Sequence, residues 1–270
     1  MPIVPITDLA DSRLDIYRSL NKTNVTRYSG EFVVEGHTLV DRLLQSEFAV
    51  ASILSLDRHA ESLAAQAAPE VPIYTLTKQQ INEVIGFQFH RGVLACAVRK
   101  SPTTLRECLD TLPPNAVATV AICPQILDPT NLGSLIRNCC AMGVDVLLLG
   151  PHSADPFSRR AIRVSMGGIL KLPTVCSLDL QADLQTLRQD QFELVATVLD
   201  DAAEPLPQFV RTKRTGILFG AEGPGLAVEW IEWCQRCVTL PMRRETDSLN
   251  LATAAGIFLY HLQYVCQIQS

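Results

Sequence analysis

The feature that most constrains this chain is a repeated alternation in its C-terminal half. Short, unbroken apolar runs are followed by loops rich in glycine or polar residues, and then by segments with helical spacing. Val117–Cys123 and Asp145–Leu149 read as apolar strands, with a helix at Leu132–Met142 between them. Phe192–Leu199, Gly216–Phe219 and Cys237–Leu240 follow as further strands. Strands that are apolar throughout must be covered on both faces, which implies a mainly parallel sheet flanked by helices. The last helix, over about Leu249–Gln267, places Leu251, Ala254, Ala255, Phe258, Leu259, Leu262 and Cys266 on one stripe, the spacing of a core face. Its other side carries Ile257, Tyr260, His261 and Tyr264, apolar enough for a subunit interface.

The N-terminal hundred residues also read as α/β. Phe32–Gly36, Val50–Ser55, Val71–Leu76 and Gly92–Arg99 have strand character, and His37–Gln45, Glu61–Ala68 and Lys78–Ile85 have helical character. A break begins at Lys100-Ser101-Pro102, followed by a short helix at Thr104–Leu109 and then Pro113-Pro114-Asn115. Proline-rich punctuation of this kind marks a connection. The expected organisation is a smaller α/β domain over 1–105, a linker over 106–115, and a second α/β domain over 116–270.

Composition excludes several classes. Hydrophobic residues are 47% and charged residues 19% of 270, enough to bury a core without disulfides. The first residues lack the basic and apolar segments of a signal peptide, and no apolar run approaches bilayer length, so a soluble, cytoplasmic protein is expected. The nine cysteines are scattered, and Cys234/Cys237 form the sole CxxC. A zinc site needs about four ligands, so reduced thiols are expected and no metal is implied. The formal net charge of −5 argues against a broadly basic nucleic-acid binder, although local patches can still supply phosphate contacts. Basic residues cluster at Arg159, Arg160, Arg163 and Lys171, at Arg211, Lys213 and Arg214, and at Arg243 and Arg244. Each cluster also reads as solvated surface.

In open parallel sheets, ligands bind beyond the carboxyl ends of the strands. Three loops at such ends are unusual. After 117–123 comes Asp128-Pro129-Thr130-Asn131-Leu132-Gly133, leading to Arg137, which falls beside the apolar stripe of its helix. After 216–219 comes Gly220-Ala221-Glu222-Gly223-Pro224-Gly225-Leu226, whose glycines permit a tight turn against a ligand. It is neither a phosphate loop nor a dinucleotide fingerprint. After 237–240 comes Pro241-Met242, then Ser248-Leu249-Asn250, where Asp247 or Ser248 is placed to cap the last helix. Taken singly, each loop also reads as an ordinary helix start or turn.

Taken together and in this order, the three loops resemble the signature motifs of the SpoU (TrmH) family of RNA ribose 2′-O-methyltransferases, of the SPOUT class. The resemblance spans about Val117–Tyr260, and Ser165-Met166-Gly167-Gly168 is similar to a further family feature. Arg27–Gly36 and His90–Ala95 more loosely resemble the substrate-binding domain often attached to the family, which is akin to small ribosomal RNA-binding proteins.

The resemblance implies a deep trefoil knot, S-adenosyl-L-methionine as cofactor, a homodimer with the active site close to the interface, and RNA as substrate. The attached N-terminal domain points to ribosomal rather than transfer RNA. By position, Gly220, Leu240, Leu249, Met242 and Thr197 would contact the cofactor. Arg137 would take the central catalytic role, with Asn131, Glu222, Ser248 and Asn250 positioning it, the substrate or the loops. A guanidinium has a pKa above about 12 and is a poor base, so Arg137 is expected to bind a phosphate and polarise the hydroxyl. Arg27, Arg91 and Arg160, and more loosely Arg18 and Lys22, are the candidates for contact with RNA. Two other readings remain open: a different nucleotide-binding α/β enzyme, and an RNA-binding protein that has lost catalysis.

Overall fold

A computed structural model of the chain describes residues 3–18, 20, 30–113, 115–243 and 248–268. The chain divides into two compact units, Met1–Ser101 with Asp155–Leu170, and Pro102–Ala154 with Lys171–Ser270.

The first unit holds strands β1 (Ile3–Pro5), β2 (Glu31–Glu35), β3 (Val50–Leu56), β4 (Ile73–Leu76) and β5 (Val93–Val98), in the order β1-β4-β3-β5-β2. β1, β4 and β3 run parallel, whereas β5 is antiparallel to both β3 and β2. Helices α1 (His37–Leu44), α2 (Asp57–Ala64) and α3 (Lys78–Ile85) connect them. α3 begins where the sequence places it because Thr77 and Gln80 form a reciprocal capping box, which satisfies two orphan N–H groups. α2 starts four residues earlier than expected, directly after β3. On the inner face, the buried Tyr17 hydroxyl lies 2.7 Å from Ser52 Oγ.

Asp155–Leu170 was expected to belong to the second domain and instead joins the first unit. The contacts explain why. Arg99 donates to both carboxylate oxygens of Asp155 at 2.9 and 2.7 Å, a bidentate pair. Phe157 packs against Phe32 and Phe48, with centroids 4.9 and 5.6 Å apart. Within the helix Arg159–Val164, Arg159 donates to the buried Glu35 carboxylate at 3.2 Å and stacks over Phe87.

The second unit contains α4 (Leu105–Asp110), β6 (Ala118–Cys123), α5 (Pro129–Ala141), β7 (Val146–Leu149), β8 (Thr174–Cys176), α6 (Leu180–Gln189), β9 (Glu193–Val198), β10 (Glu204–Pro205), β11 (Arg214–Leu218), α7 (Val228–Ile231), β12 (Arg236–Thr239) and α8 (Leu251–Tyr260). Its sheet has the order β10-β12-β9-β11-β6-β7-β8, and every pairing is parallel. The segment 106–115, expected to be a linker, contributes part of the core. Leu105, Cys108 and Leu109 of α4 are buried with Val120, Leu148 and Leu194, and a Thr104–Glu107 capping box starts that helix.

The final helix is shorter than the expected Leu249–Gln267, because Asn250 caps it and a π turn, His261–Val265, follows it. Leu251, Ala255, Phe258, Leu259 and Leu262 are buried as the stripe predicts. His261, expected on the outer side, is buried with Nε2 3.4 Å from the Phe209 carbonyl. The π turn, with its extra residue per turn, begins at His261. Ile257, Tyr260 and Tyr264 are exposed. Among the described residues, no helix is long and apolar enough to cross a membrane.

Arg211 departs most from the sequence expectation. It was read within a surface basic cluster, yet its side chain is 1% exposed. Its guanidinium donates to the carbonyls of Thr212, Leu262 and Ala118 at 3.2, 3.2 and 3.0 Å, and to Thr119 Oγ1 at 2.9 Å. Burial lowers its pKa from the ordinary guanidinium value, but an arginine stays charged in any protein setting. The fork therefore ties the start of β6 to the end of the C-terminal helix. Arg211→Ala would leave buried carbonyls unsatisfied, a loss of about 3 kcal/mol. The expected result is a clearly lower urea midpoint for unfolding. Arg211→Lys should recover less than half, since an ammonium cannot match four acceptors in one plane.

Candidate active site

The chain runs β6, β7, β8 toward one edge of the second unit's sheet, and β9, β11 and β12 all lie on the other side of β6. The order therefore reverses between β6 and β11, the position where open parallel sheets bind ligands. A cavity of about 580 Å³ is lined by the loops following β9, β11 and β12 and by the first turns of α8. That volume suits a small organic cofactor.

Each loop owes its shape to identifiable residues. Asp128 caps α5 by accepting the Thr130 N–H at 2.9 Å, and Pro129 fills the first helical position, where its missing N–H costs nothing. That cap starts α5 three residues before the expected Leu132 and puts Asn131 in the first turn, buried. After β11, the chain folds back on itself, with Ala221 and Gly225 exchanging backbone hydrogen bonds at 3.0 Å. A Cβ on Gly220 would lie 2.3 Å from the Gly225 carbonyl carbon and 2.4 Å from the Leu226 nitrogen, so only glycine fits. Gly223 and Gly225 take φ of 83° and 71°, a region that favours glycine.

The third loop carries the residue that joins the other two. Asn250 Nδ2 donates to Asn131 Oδ1 at 3.0 Å and to Glu222 Oε1 at 2.9 Å. Its Oδ1 accepts the Ala252 N–H at 2.9 Å and caps α8. The cap was expected at Asp247 or Ser248. Asp247 lies outside the described residues, and Ser248 lines the cavity two residues before the cap.

Of the residues singled out from the sequence, Gly220, Leu240, Leu249, Met242, Thr197, Glu222, Ser248 and Asn250 all line this cavity. Asn131 is brought to it through Asn250. Thr197 is anchored by donating its hydroxyl to the Leu218 carbonyl at 2.8 Å.

Arg137 is not brought to it. The sequence sets it beside the apolar stripe of its helix; it is exposed on α5 and lines no part of the cavity. The helix turns about 100° per residue, so six residues carry Arg137 about 240° round the axis from Asn131. Arg91 and Arg160 are exposed in the first unit, and Arg91 lies 3.9 Å from Glu35. Arg18 pairs with Asp15 at 2.8 Å. Arg27 and Lys22 lie outside the described residues.

Sequence reasoning missed Asp200 and Cys237, which also line the cavity. Asp200 could have been found as a carboxylate just beyond an apolar strand beside the glycine-rich loop. Cys237 was weighed only with Cys234, whose thiol burial pushes up to about 12, with Cys237 adding to the shift. Cys234 and Cys237 are not joined in a disulfide. Among the described residues, no group of three or more His, Cys, Asp or Glu is placed to hold a metal ion.

Known proteins carry the same pattern. The profile of the SpoU rRNA Methylase family matches residues 118–260. An uncharacterized tRNA/rRNA methyltransferase of Mycobacterium tuberculosis is 34% identical over 96% of this chain and 91% of its own length. The 23S rRNA (guanosine-2′-O-)-methyltransferase of Acinetobacter baylyi is 30% identical over 76% of this chain and 83% of its own. An AdoMet-bound rRNA methyltransferase from Sinorhizobium meliloti, at 24% identity, shares the fold with a TM-score of 0.82 over 96% of each chain. With three motif loops gathered at the switch point of a parallel sheet and a profile match across them, the chain belongs to the SpoU rRNA methylase family.

Proposed function

We propose that this chain transfers a methyl group from S-adenosylmethionine to a ribose 2′-hydroxyl of ribosomal RNA, using the cavity beyond β9, β11 and β12 as its cofactor site. The observation that carries this reading is the Asn250 carboxamide, which joins all three motif loops at the rim of the cavity. The Acinetobacter baylyi relative, a 23S rRNA (guanosine-2′-O-)-methyltransferase, supports the same reaction here.

The residues present fit the cofactor. Gly220 leaves room only for backbone, so the loop offers main-chain groups to an adenosine. Phe219, Leu240, Leu249, Leu251 and Phe258 supply apolar walls for a base. When bound, S-adenosylmethionine supplies a methyl already activated on a sulfonium, so the protein's task is alignment, an effect worth at most about 7–11 kcal/mol. Asn131, Glu222 and Asn250 hold the loops in register and orient the acceptor ribose. Arg137 binds the adjoining phosphate and polarises the hydroxyl from outside the cavity, an assignment resting on its place in the first motif.

The wider arrangement belongs to the same proposal. The first unit is the RNA-binding domain, with Arg91 and Arg160 among its phosphate contacts. The chain is a homodimer through the face that exposes Ile257, Tyr260 and Tyr264, and the loops around the cavity form part of a knot.

Three measurements test it. Mapping 2′-O-methyl groups in ribosomal and transfer RNA, from cells with and without the gene, should show one ribosomal site lost. A site lost only from transfer RNA would overturn the substrate assignment. Arg137→Ala should lower turnover by at least a hundredfold while calorimetric S-adenosylmethionine affinity stays within about twofold; near-normal turnover would remove the role given to Arg137. Gly220→Val should abolish cofactor binding, because the side chain has no space beside Gly225.

A further inference from the structure

Among the described residues, the ionisable side chains in the cavity wall are Asp200, Glu222 and Cys237. Glu222 is engaged by Asn250. Asp200 sits on the loop just after β9 and is held in place locally, its Oδ1 accepting the Ala202 N–H at 2.9 Å. That bond fixes the carboxylate and leaves Oδ2 to a ligand. Among the described residues Asp200 forms no ion pair.

The sheet order gives the carboxylate its place. Across the sheet the strands run β12, β9, β11, β6. The polar groups that gather the motif loops stand over β6 and β11, with Asn131 after the first and Glu222 after the second. Asp200 stands over β9, on the far side of the glycine-rich loop from Asn131. A glycine turn after one parallel strand, with a carboxylate at the end of the neighbouring strand, is how dinucleotide folds grip the hydroxyls of a ribose. The same chemistry applies to any adenosine: a vicinal diol offers two donors, and an ionised carboxylate is a pure acceptor.

We propose that Asp200 binds the 2′- and 3′-hydroxyls of the cofactor's own ribose, and so selects an intact adenosine at the end of the cavity away from Asn131. The inference rests on the placement of S-adenosylmethionine in this cavity. Asp200 is a binding residue and takes no part in moving the methyl or the proton.

The test is calorimetry with S-adenosylhomocysteine and its 2′-deoxy and 3′-deoxy analogues, on the full-length wild-type chain and the Asp200→Ala and Asp200→Asn variants. Hydrogen bonds to a charged group justify an expected loss of roughly tenfold or more for Asp200→Ala. Asp200→Asn keeps an acceptor for Ala202 and should lose less. The wild type should penalise at least one deoxy analogue, and Asp200→Ala should not. Unchanged affinity in Asp200→Ala would overturn the proposal. So would a deoxy penalty that persists in the variant, which would place the carboxylate on another part of the ligand, such as the ammonium group. Failure of the cavity assignment itself would look different, since Gly220→Val would then still bind S-adenosylhomocysteine.

Discussion

The site depends on one carboxamide. Asn250 uses both N–H donors and its carbonyl oxygen at once: Asn131 from the loop after β6, Glu222 from the loop after β11, and the Ala252 N–H at the start of α8. Each bond contributes only about 1 kcal/mol to stability. Their joint effect on geometry is larger, because one planar group fixes three loops in relation to each other. An amide with every hydrogen-bonding position but one lone pair committed has a defined orientation. The loops that shape the cavity are therefore held before any ligand arrives.

Parallel topology makes such an arrangement possible. All strands of the second unit's sheet end on the same side, so every βα loop opens toward one edge. Reversal of strand order between β6 and β11 stops the loops on either side from closing over one another. Close packing supplies the rest. Gly220 lets the loop after β11 fold flat against Gly225 and Leu226, and Gly256 brings α8 near α5, where a Cβ would lie 3.3 Å from Asn138 Nδ2. Asn138 Nδ2 in turn donates to the Ala252 carbonyl at 2.6 Å. The helices carrying Asn131 and following Asn250 are thus locked together about two turns along α5 from Asn131.

The main strands of the second sheet were legible because burial on both faces leaves continuous apolar runs, as in β6, β7 and β9. Less was legible where tertiary contacts override local pattern. Arg211 carries no local mark of burial; its four acceptors come from β6, from its own neighbour Thr212 and from the last helix. Asp155–Leu170 is assigned by the Arg99–Asp155 pair and by Phe157, both depending on partners more than fifty residues away. At the site, the motif residues were identifiable from order and spacing, but the choice of cap was not. Ser248, Asp247 and Asn250 are all good capping residues, and only the Asn250 contact with Ala252 distinguishes them.

Arg137 shows where a motif stops being a geometric statement. A motif gives spacing along the chain, whereas the helix converts spacing into direction. Asn131 and Arg137 are six residues apart on α5, so they face different ways whatever their chemical roles. If both act on one acceptor nucleotide, that nucleotide must reach from the cavity to the outer surface of α5, or the guanidinium must serve a cavity other than its own. Either arrangement requires a substrate or partner much larger than the cofactor. In the proposed reading the cavity positions the methyl donor, and the acceptor side is completed by what docks on the surface bearing Arg137.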